Sequence, residues 1–225
     1  MKKLEKINLK SKSFLAYHLT ILLLFTGSAI AQTEITIKPN LNNSENINQW
    51  TLDGSGKWKI SDGALILYKA GVPSGTIRRP SALAILKSKP FTNVIVEAEI
   101  KSEVDTSIIH RDLEIIVDYQ SATKFYYVHL AGTTDKVHNG IFIVNNADRR
   151  RIDSGKGKPQ LKDKAWHHVK VIRNVQTGEI KVYTNGSDNP VLEAVDKTLL
   201  YGKVGVGSFD DTGFFKNILV KGTTN

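Results

Sequence analysis

The segment RDLEIIVDYQ, residues 111–120, alternates ionisable and apolar side chains. Successive side chains of a strand point to opposite faces, so Asp112, Glu114, Ile116 and Asp118 are expected on one face and Leu113, Ile115, Val117 and Tyr119 on the other. The following segment, KFYYVHLAG, repeats the pattern: Tyr126, Val128 and Leu130 make an apolar face, while Phe125, Tyr127 and His129 make an aromatic and ionisable one. Pairing these two strands through a turn at residues 120–123 gathers carboxylates, two aromatic rings and an imidazole on one surface. Such a surface suits a sugar, because rings stack on the apolar face of a pyranose while carboxylate and imidazole exchange hydrogen bonds with its hydroxyls. The next segment adds His138 at its start and Asn145 and Arg149 at its end.

Three chemistries are open to this set. Glycoside hydrolysis needs two carboxyls about 5–5.5 Å apart for retention or about 6.5–9.5 Å for inversion, one of them protonated. Asp112 and Glu114, two apart on a strand, have backbones about 6.8 Å apart at a rise of about 3.4 Å per residue, and with His129 they are the candidate catalytic groups. Eliminative cleavage of a uronic-acid glycan needs a cation, a base and an acid, roles open to Arg149 or Arg111, to His129 or His138, and to Tyr127. Binding without turnover needs only the polar and aromatic face, with Asp118, Phe125, Tyr127, His138, Asn145 and Arg149 as contacts. Against all three stands the plainer reading in which Glu114 and Asp118 merely solvate an exposed strand face. No organic cofactor is required by any of them. The turn at Ser208-Phe209-Asp210-Asp211 offers hard oxygen ligands, so Asp210 and Asp211 are the expected seat of a structural Ca²⁺. The pair His167-His168 points to opposite faces and cannot share one ion; Trp166 beside it is expected to anchor the core.

The elements that must position these groups are strands. Period-two alternation predicts about a dozen, the clearest at 34–38, 64–69, 82–87, 93–102, 111–119, 124–131, 140–146, 166–173, 179–183, 203–208 and 215–220. Turn chemistry at Asp62-Gly63, Thr177-Gly178, Asn185-Gly186 and Thr212-Gly213 separates them. The expected fold is an all-β sandwich of two antiparallel sheets, with the basic stretch 149–164 as its most mobile loop.

The first 31 residues read as a secretory signal peptide: a basic start, a 12-residue apolar run at 14–25, and small residues at Ala29 and Ala31 before the expected cleavage point. The apolar run is shorter than the ~20 residues a spanning helix needs, so no stable membrane anchor is expected. The whole chain has 31 Lys and Arg against 22 Asp and Glu, a net charge of +9. The leader holds five of those lysines and one glutamate, which leaves +5 on residues 32–225. That mild excess suits an anionic glycan or a cell envelope, and nucleic acid is not an expected partner of an exported chain. The absence of cysteine excludes disulfides, thiol chemistry and Cys-ligated metals. Residues 32–225 are expected to form one domain, long enough to bury its own core, and a monomer in the periplasm or outside the cell.

Four segments carry a resemblance: GKWKISDGAL at 56–65, KPFTNVIVEAEIKS at 89–102, AWHHVKVIRNVQTGEIKVYTNG at 165–186 and GKVGVGSFDDTGFFKNILVKG at 202–222. Together they resemble the concanavalin A-like lectin/glucanase superfamily, most closely its laminin-G-like members and the secreted bacterial 3-keto-disaccharide hydrolase families. The resemblance implies a jelly-roll sandwich hosting lectins, glycan-binding modules, hydrolases or lyases. Asp112, Glu114 and Asp118 do not follow the order or spacing of the family-16 glucanase strand, and YYVHLAG is only a loose echo of the alginate-lyase Q-x-H strand. Fold alone does not choose among these activities. The expected function is recognition, with or without cleavage, of a poly- or oligosaccharide on one concave sheet; the alternatives are a lectin-like binding module and a laminin-G-like envelope protein that binds a partner.

Overall fold

Alternating sequence becomes alternating burial in the computed structural model, which describes residues 33–224. The expected signal peptide lies outside the described residues. The strands are β1 (Thr33–Ile37), β2 (Trp50–Gly54), β3 (Lys57–Ser61), β4 (Ala64–Lys69), β5 (Ala82–Leu86), β6 (Val94–Ser102), β7 (Asp112–Ser121) and β8 (Lys124–Ala131). They continue with β9 (Gly140–Asn145), β10 (Arg150–Arg151), β11 (His167–Arg173), β12 (Glu179–Thr184), β13 (Leu192–Val195), β14 (Lys203–Ser208) and β15 (Gly213–Thr224). All eleven expected strands form. The short edge elements β2, β10 and β13 were not among them, and neither was β3.

One sheet runs β13-β12-β11-β6-β15-β4-β3, with β1 pairing β15; the other runs β10-β9-β8-β7-β14-β5-β2. Every pairing is antiparallel. Between the sheets lies the main core: Val96, Ile100, Val169 and Phe215 from the first meet Leu113, Ile115, Tyr126, Val128 and Val206 from the second. Each such side chain contributes about 1.5–3 kcal/mol by leaving water. This is the two-sheet jelly roll the sequence predicted.

The seven-stranded sheet also carries apolar side chains on its outer face. Leu83, Ile85, Ile116, Phe125, Tyr127, Phe142 and Val144 form a second buried cluster there, with Ile77 and Tyr119 packed against it. Part of the cover is Ile77, from the segment linking β4 to β5 at residues 70–81, which is fastened to this sheet as a strap. At one end Arg79 pairs with Asp53 of β2 at 2.9 Å. At the other, Arg78 N–H donates to Asp148 Oδ1 at 2.8 Å and Arg149 N–H donates to the Arg78 carbonyl at 2.9 Å.

The expected side-chain directions of Asp118, Tyr119 and Trp166 are corrected. A bulge interrupts the β7–β8 ladder between Val117 and Ser121, and Asp118 takes a left-handed φ of 51°. Against β14, one residue of β7 is extra here, and it reverses the alternation. Asp118 therefore turns inward, where it accepts from Arg173 Nε at 2.8 Å, and Tyr119 turns outward to donate to Asp53 Oδ2 at 3.1 Å. Gly202 fits against the Asp118 backbone where a Cβ would collide with it. Trp166 is not a core anchor: it is 37% exposed, with Lys216 Nζ 4.0 Å above its ring. The stretch 149–164 is tied down, because Gln160 and Leu161 N–H both donate to the Ala131 carbonyl and Asn139 Nδ2 donates to the carbonyls of Gly157 and Lys158.

Candidate functional site

The hairpin of β7 and β8 sets Glu114 directly opposite His129 and Asp112 opposite Ala131. With Leu113 and Ile115 committed to the core, Asp112 and Glu114 necessarily face outward, on the side of Phe125, Tyr127 and His129. The imidazole stands between the carboxyls: His129 Nδ1 lies 3.6 Å from Glu114 Oε1 and Nε2 lies 3.7 Å from Asp112 Oδ2. Glycine on β14 makes the space. Gly207 pairs with Glu114, and a Cβ there would lie 3.4 Å from Glu114 Oε2 and 2.7 Å from the Ala82 carbonyl oxygen.

Asp112 is held by a network that also fixes the turn after β14. It accepts from Phe209 N–H at 2.9 Å and from the Ser208 hydroxyl at 3.3 Å, while its own N–H donates to Asp211 Oδ2 at 2.8 Å. Glu114 has no such support: both carboxyl oxygens are buried without a hydrogen-bond partner, as is His129 Nε2. All three residues are at most 1% exposed.

Burial decides the charge. It pushes the Glu114 and Asp112 carboxyls well above the ordinary range, reinforced for Glu114 by Asp112 and for Asp112 by Asp211. Burial, then the neighbouring Arg149, His138 and Arg151, pushes His129 well below its ordinary value. All three shifts run the same way, each favouring the uncharged form of its group. Arg149 Nη1 lies 3.4 Å from His129 Nδ1, a contact that places the imidazole proton on Nε2, toward Asp112.

Arg149 and Phe209 form the roof. The guanidinium carbon of Arg149 sits 4.0 Å from the Phe209 ring centre, and Nη1 donates to Tyr127 Oη at 3.3 Å. Phe209 stacks on the His129 ring at 6.3 Å. His138 closes the side, edge-on to His129 at 5.6 Å and held by Asp135 at 2.8 Å, and His110 lies 5.6 Å beyond it. The roof seals the cluster. A cavity of about 440 Å³ lies on the other sheet, lined among others by Leu41, Glu97, His168 and Asn217, far from this chemistry.

Of the expected site residues, the fold brings together Asp112, Glu114, His129, Tyr127, His138 and Arg149. Phe125 lies on the same face but beneath the strap, fully buried, so it forms part of the floor and offers no open stacking surface. Asp118 is on the opposite face, for the reason given above. Asn145 is exposed at the end of β9, beside Lys124, away from the cluster. His167 and His168 separate as expected, the first buried on Asp163 and the second outward on Glu97. Sequence reasoning missed Arg78 and Phe209; the only signal was a basic dipeptide in a Gly- and Pro-containing segment and one ring in an acidic turn.

Two overlapping groups have the geometry of a metal site. Ligand atoms of Asp112, Glu114 and His129 lie within 4.8 Å of one another, as do those of Asp112, Asp210 and Asp211. The first mixes imidazole nitrogen with carboxylate oxygen, as Zn²⁺ or Mn²⁺ accept; the second is all oxygen, as Ca²⁺ prefers. A cation at either group competes with protons for the Asp112 carboxyl, which burial pushes well above the ordinary range.

The two antiparallel sheets in this strand order form an all-β sandwich of the kind found in lectins. No family model and no curated protein matches the chain in sequence. Solved structures match in fold. The carbohydrate-binding module CBM66 from Bacillus subtilis superposes with a TM-score of 0.58 and 16% identity, over 76% of this chain and 93% of that one. Lectin I from Ulex europaeus, in complex with the methyl glycoside of α-L-fucose, gives 0.53 and 11%, over 86% and 98%. A Bauhinia forficata lectin, in complex with GalNAc, gives 0.51 and 13%, over 87% and 99%.

Proposed function

We propose that this is an exported carbohydrate-binding protein that takes a poly- or oligosaccharide at the outer face of its seven-stranded sheet. Asp112, Glu114 and His129 form the floor of the site, and Tyr127, His138 and Arg149 surround it. The observation that carries this reading is the convergence of buried polar atoms without partners: both carboxyl oxygens of Glu114, Nε2 of His129 and Nε of Arg149. Each such atom costs about 1–3 kcal/mol in the folded chain. Sugar hydroxyls both donate and accept, so one ring can satisfy several at once. Entry is by displacement of Arg149, which two long hydrogen bonds and contacts to the Phe209 and Phe142 rings hold in place of an ion pair. The shared fold of a carbohydrate-binding module and two sugar-bound lectins supports the ligand class. A structural Ca²⁺ at Asp210 and Asp211, with Asp112 as a third ligand, would brace the turn that carries Phe209.

A hydrolytic version of the same site is favoured by one feature: burial pushes the Glu114 carboxyl well above the ordinary range, the direction a general acid needs. The imidazole between the two carboxyls must then move for a glycosidic oxygen to reach Glu114. The test is incubation of the purified protein with neutral and uronic-acid polysaccharides, following gel retardation, reducing ends and the ultraviolet absorbance of an unsaturated uronate. Retardation alone, lost in Glu114→Gln, is the expected result. New reducing ends without absorbance would make it a hydrolase, and both signals an eliminating lyase. Absence of retardation and of cleavage across the panel would overturn the carbohydrate reading in favour of a partner-binding envelope protein.

A further inference from the structure

Two guanidinium groups share the Phe209 ring. The Arg149 carbon lies 4.0 Å from the ring centre and the Arg78 carbon 5.3 Å. Their proximity is built in by the backbone, since Arg78 N–H donates to Asp148 Oδ1 and Arg149 N–H donates to the Arg78 carbonyl, at 2.8 and 2.9 Å. The strap and the β9–β10 turn, far apart in sequence, are thus locked with both cationic side chains on the roof over Glu114.

Neither cation has an acid partner. Among the described residues, Arg79 pairs with Asp53, Arg150 with Asp196, Arg151 with Asp153 and Arg173 with Asp118. Arg111 spends its guanidinium on the carbonyls of Leu161 and Asp163. Arg78 and Arg149 make no ion pair. The carboxylate of Asp148, the one closest in the chain, accepts the Arg78 backbone N–H through Oδ1, and Glu114 beneath forms no ion pair with either guanidinium, its oxygens having no hydrogen-bond partner. Arg149 also keeps Nε buried without a partner, and Arg78 is exposed, held by the ring alone. Two like charges on one ring repel, and a guanidinium binds a planar anion through paired N–H donors.

We infer that the sugar taken at this roof is an acidic one, whose carboxylate or sulfate is clamped between Arg78 and Arg149 above Phe209. The inference rests on the proposed binding site and names the class of saccharide it selects. The anion draws Arg149 off Tyr127 and His129 as it binds, and the rest of the sugar then reaches Glu114. The same clamp explains how a sealed cluster becomes accessible to its ligand and not to water.

The experiment is calorimetric titration of the whole protein with a uronate oligosaccharide, its carboxyl-reduced neutral counterpart and a sulfated neutral oligosaccharide of equal length. The uronate should bind at least about tenfold more tightly than the reduced sugar, as a charge-assisted bidentate contact contributes, and the advantage should shrink with added salt. Arg78→Ala should bring the ratio close to one, and Arg78→Lys should restore part of it. Preferential binding of the sulfated sugar, lost in Arg78→Ala, would support the clamp with sulfate as the anion. Equal affinity for acidic and neutral sugars would overturn the clamp and leave the carbohydrate site standing. Binding of none of the three would overturn both. An acidic preference that survives Arg78→Ala combined with Arg149→Ala would place the anion elsewhere and overturn the clamp.

Discussion

Glu114 and His129 face each other across the β7–β8 ladder with Nδ1 and Oε1 3.6 Å apart, and neither Glu114 oxygen makes a hydrogen bond. A fold selected for stability alone fills such a position with a hydrocarbon, because removing an unsatisfied buried polar group relieves its desolvation cost. On the proposed reading, the position is kept polar for ligand binding. Glu114→Leu should be neutral or more stable by about 1–3 kcal/mol, and should abolish glycan binding. Urea unfolding beside affinity electrophoresis checks both halves; a destabilised variant that still binds would remove Glu114 from the site.

Arg173 behaves in the opposite way. Its guanidinium is fully buried and bonds Asp118 and the carbonyls of Gly178, Asp196 and Leu199. Arg173→Ala strands all four acceptors and should cost about 3–5 kcal/mol. Because this network lies between the sheets, the folded fraction should keep its glycan affinity, read by titration below the unfolding midpoint.

Asp118 supplies a pH signature. Burial outweighs the attraction of Arg173 and holds its carboxyl at about 6, above its ordinary value of 3.8. The folded state then binds the proton more tightly than the unfolded chain, so this group's contribution to stability is greatest below about pH 4, falls as pH rises to about 6 and is flat beyond. Asp118→Asn cannot titrate. Wild type should lose ground to the variant across that window, in denaturant midpoints taken at half-unit steps; a constant difference would mean that Asp118 keeps an ordinary pKa.

A cation at Asp112, Asp210 and Asp211 would stabilise the folded state by mass action. Added Ca²⁺ at about 100 times its dissociation constant should raise Tm by roughly 5–10 °C for a chain of this size. Asp211→Asn, which still accepts the Asp112 N–H, should not respond. An equal shift in both proteins would place the ion elsewhere, and no shift in wild type would leave the turn braced by hydrogen bonds alone.

The strap hangs on Asp53, which accepts from Arg79 at 2.9 and 3.2 Å and from Tyr119 at 3.1 Å. Asp53→Ala should release it without unfolding the sheets. Trypsin cleavage after Arg78 should then be about tenfold faster, the effect of a change near 1.4 kcal/mol in local opening. Unchanged cleavage would show that the Asp148 and Arg149 end suffices to hold the strap.

Much of this was legible in the sequence because side-chain alternation is local. In 125–130 Tyr126, Val128 and Leu130 face the core and Phe125, Tyr127 and His129 the outer side, which placed Tyr127 and His129 correctly, and the same rule placed Asp112 and Glu114. It failed at Asp118, where one bulged residue reversed the parity. A bulge is decided by what packs on both sides of the strand, here Arg173 from the other sheet and Gly202 against the backbone.

The sequence by itself determined the two-sheet sandwich, the pairing of β7 with β8 and the chemistry on their outer face, since all three follow from periodicity over neighbouring residues. Only the tertiary structure decided that this face is covered, that Arg78 and Arg149 meet on Phe209, and that Glu114 is left without a partner. Those relations join residues from β4–β5, β7, β9–β10 and β14. No local pattern encodes them, because they exist only once the strands are ordered and the strap is laid across them.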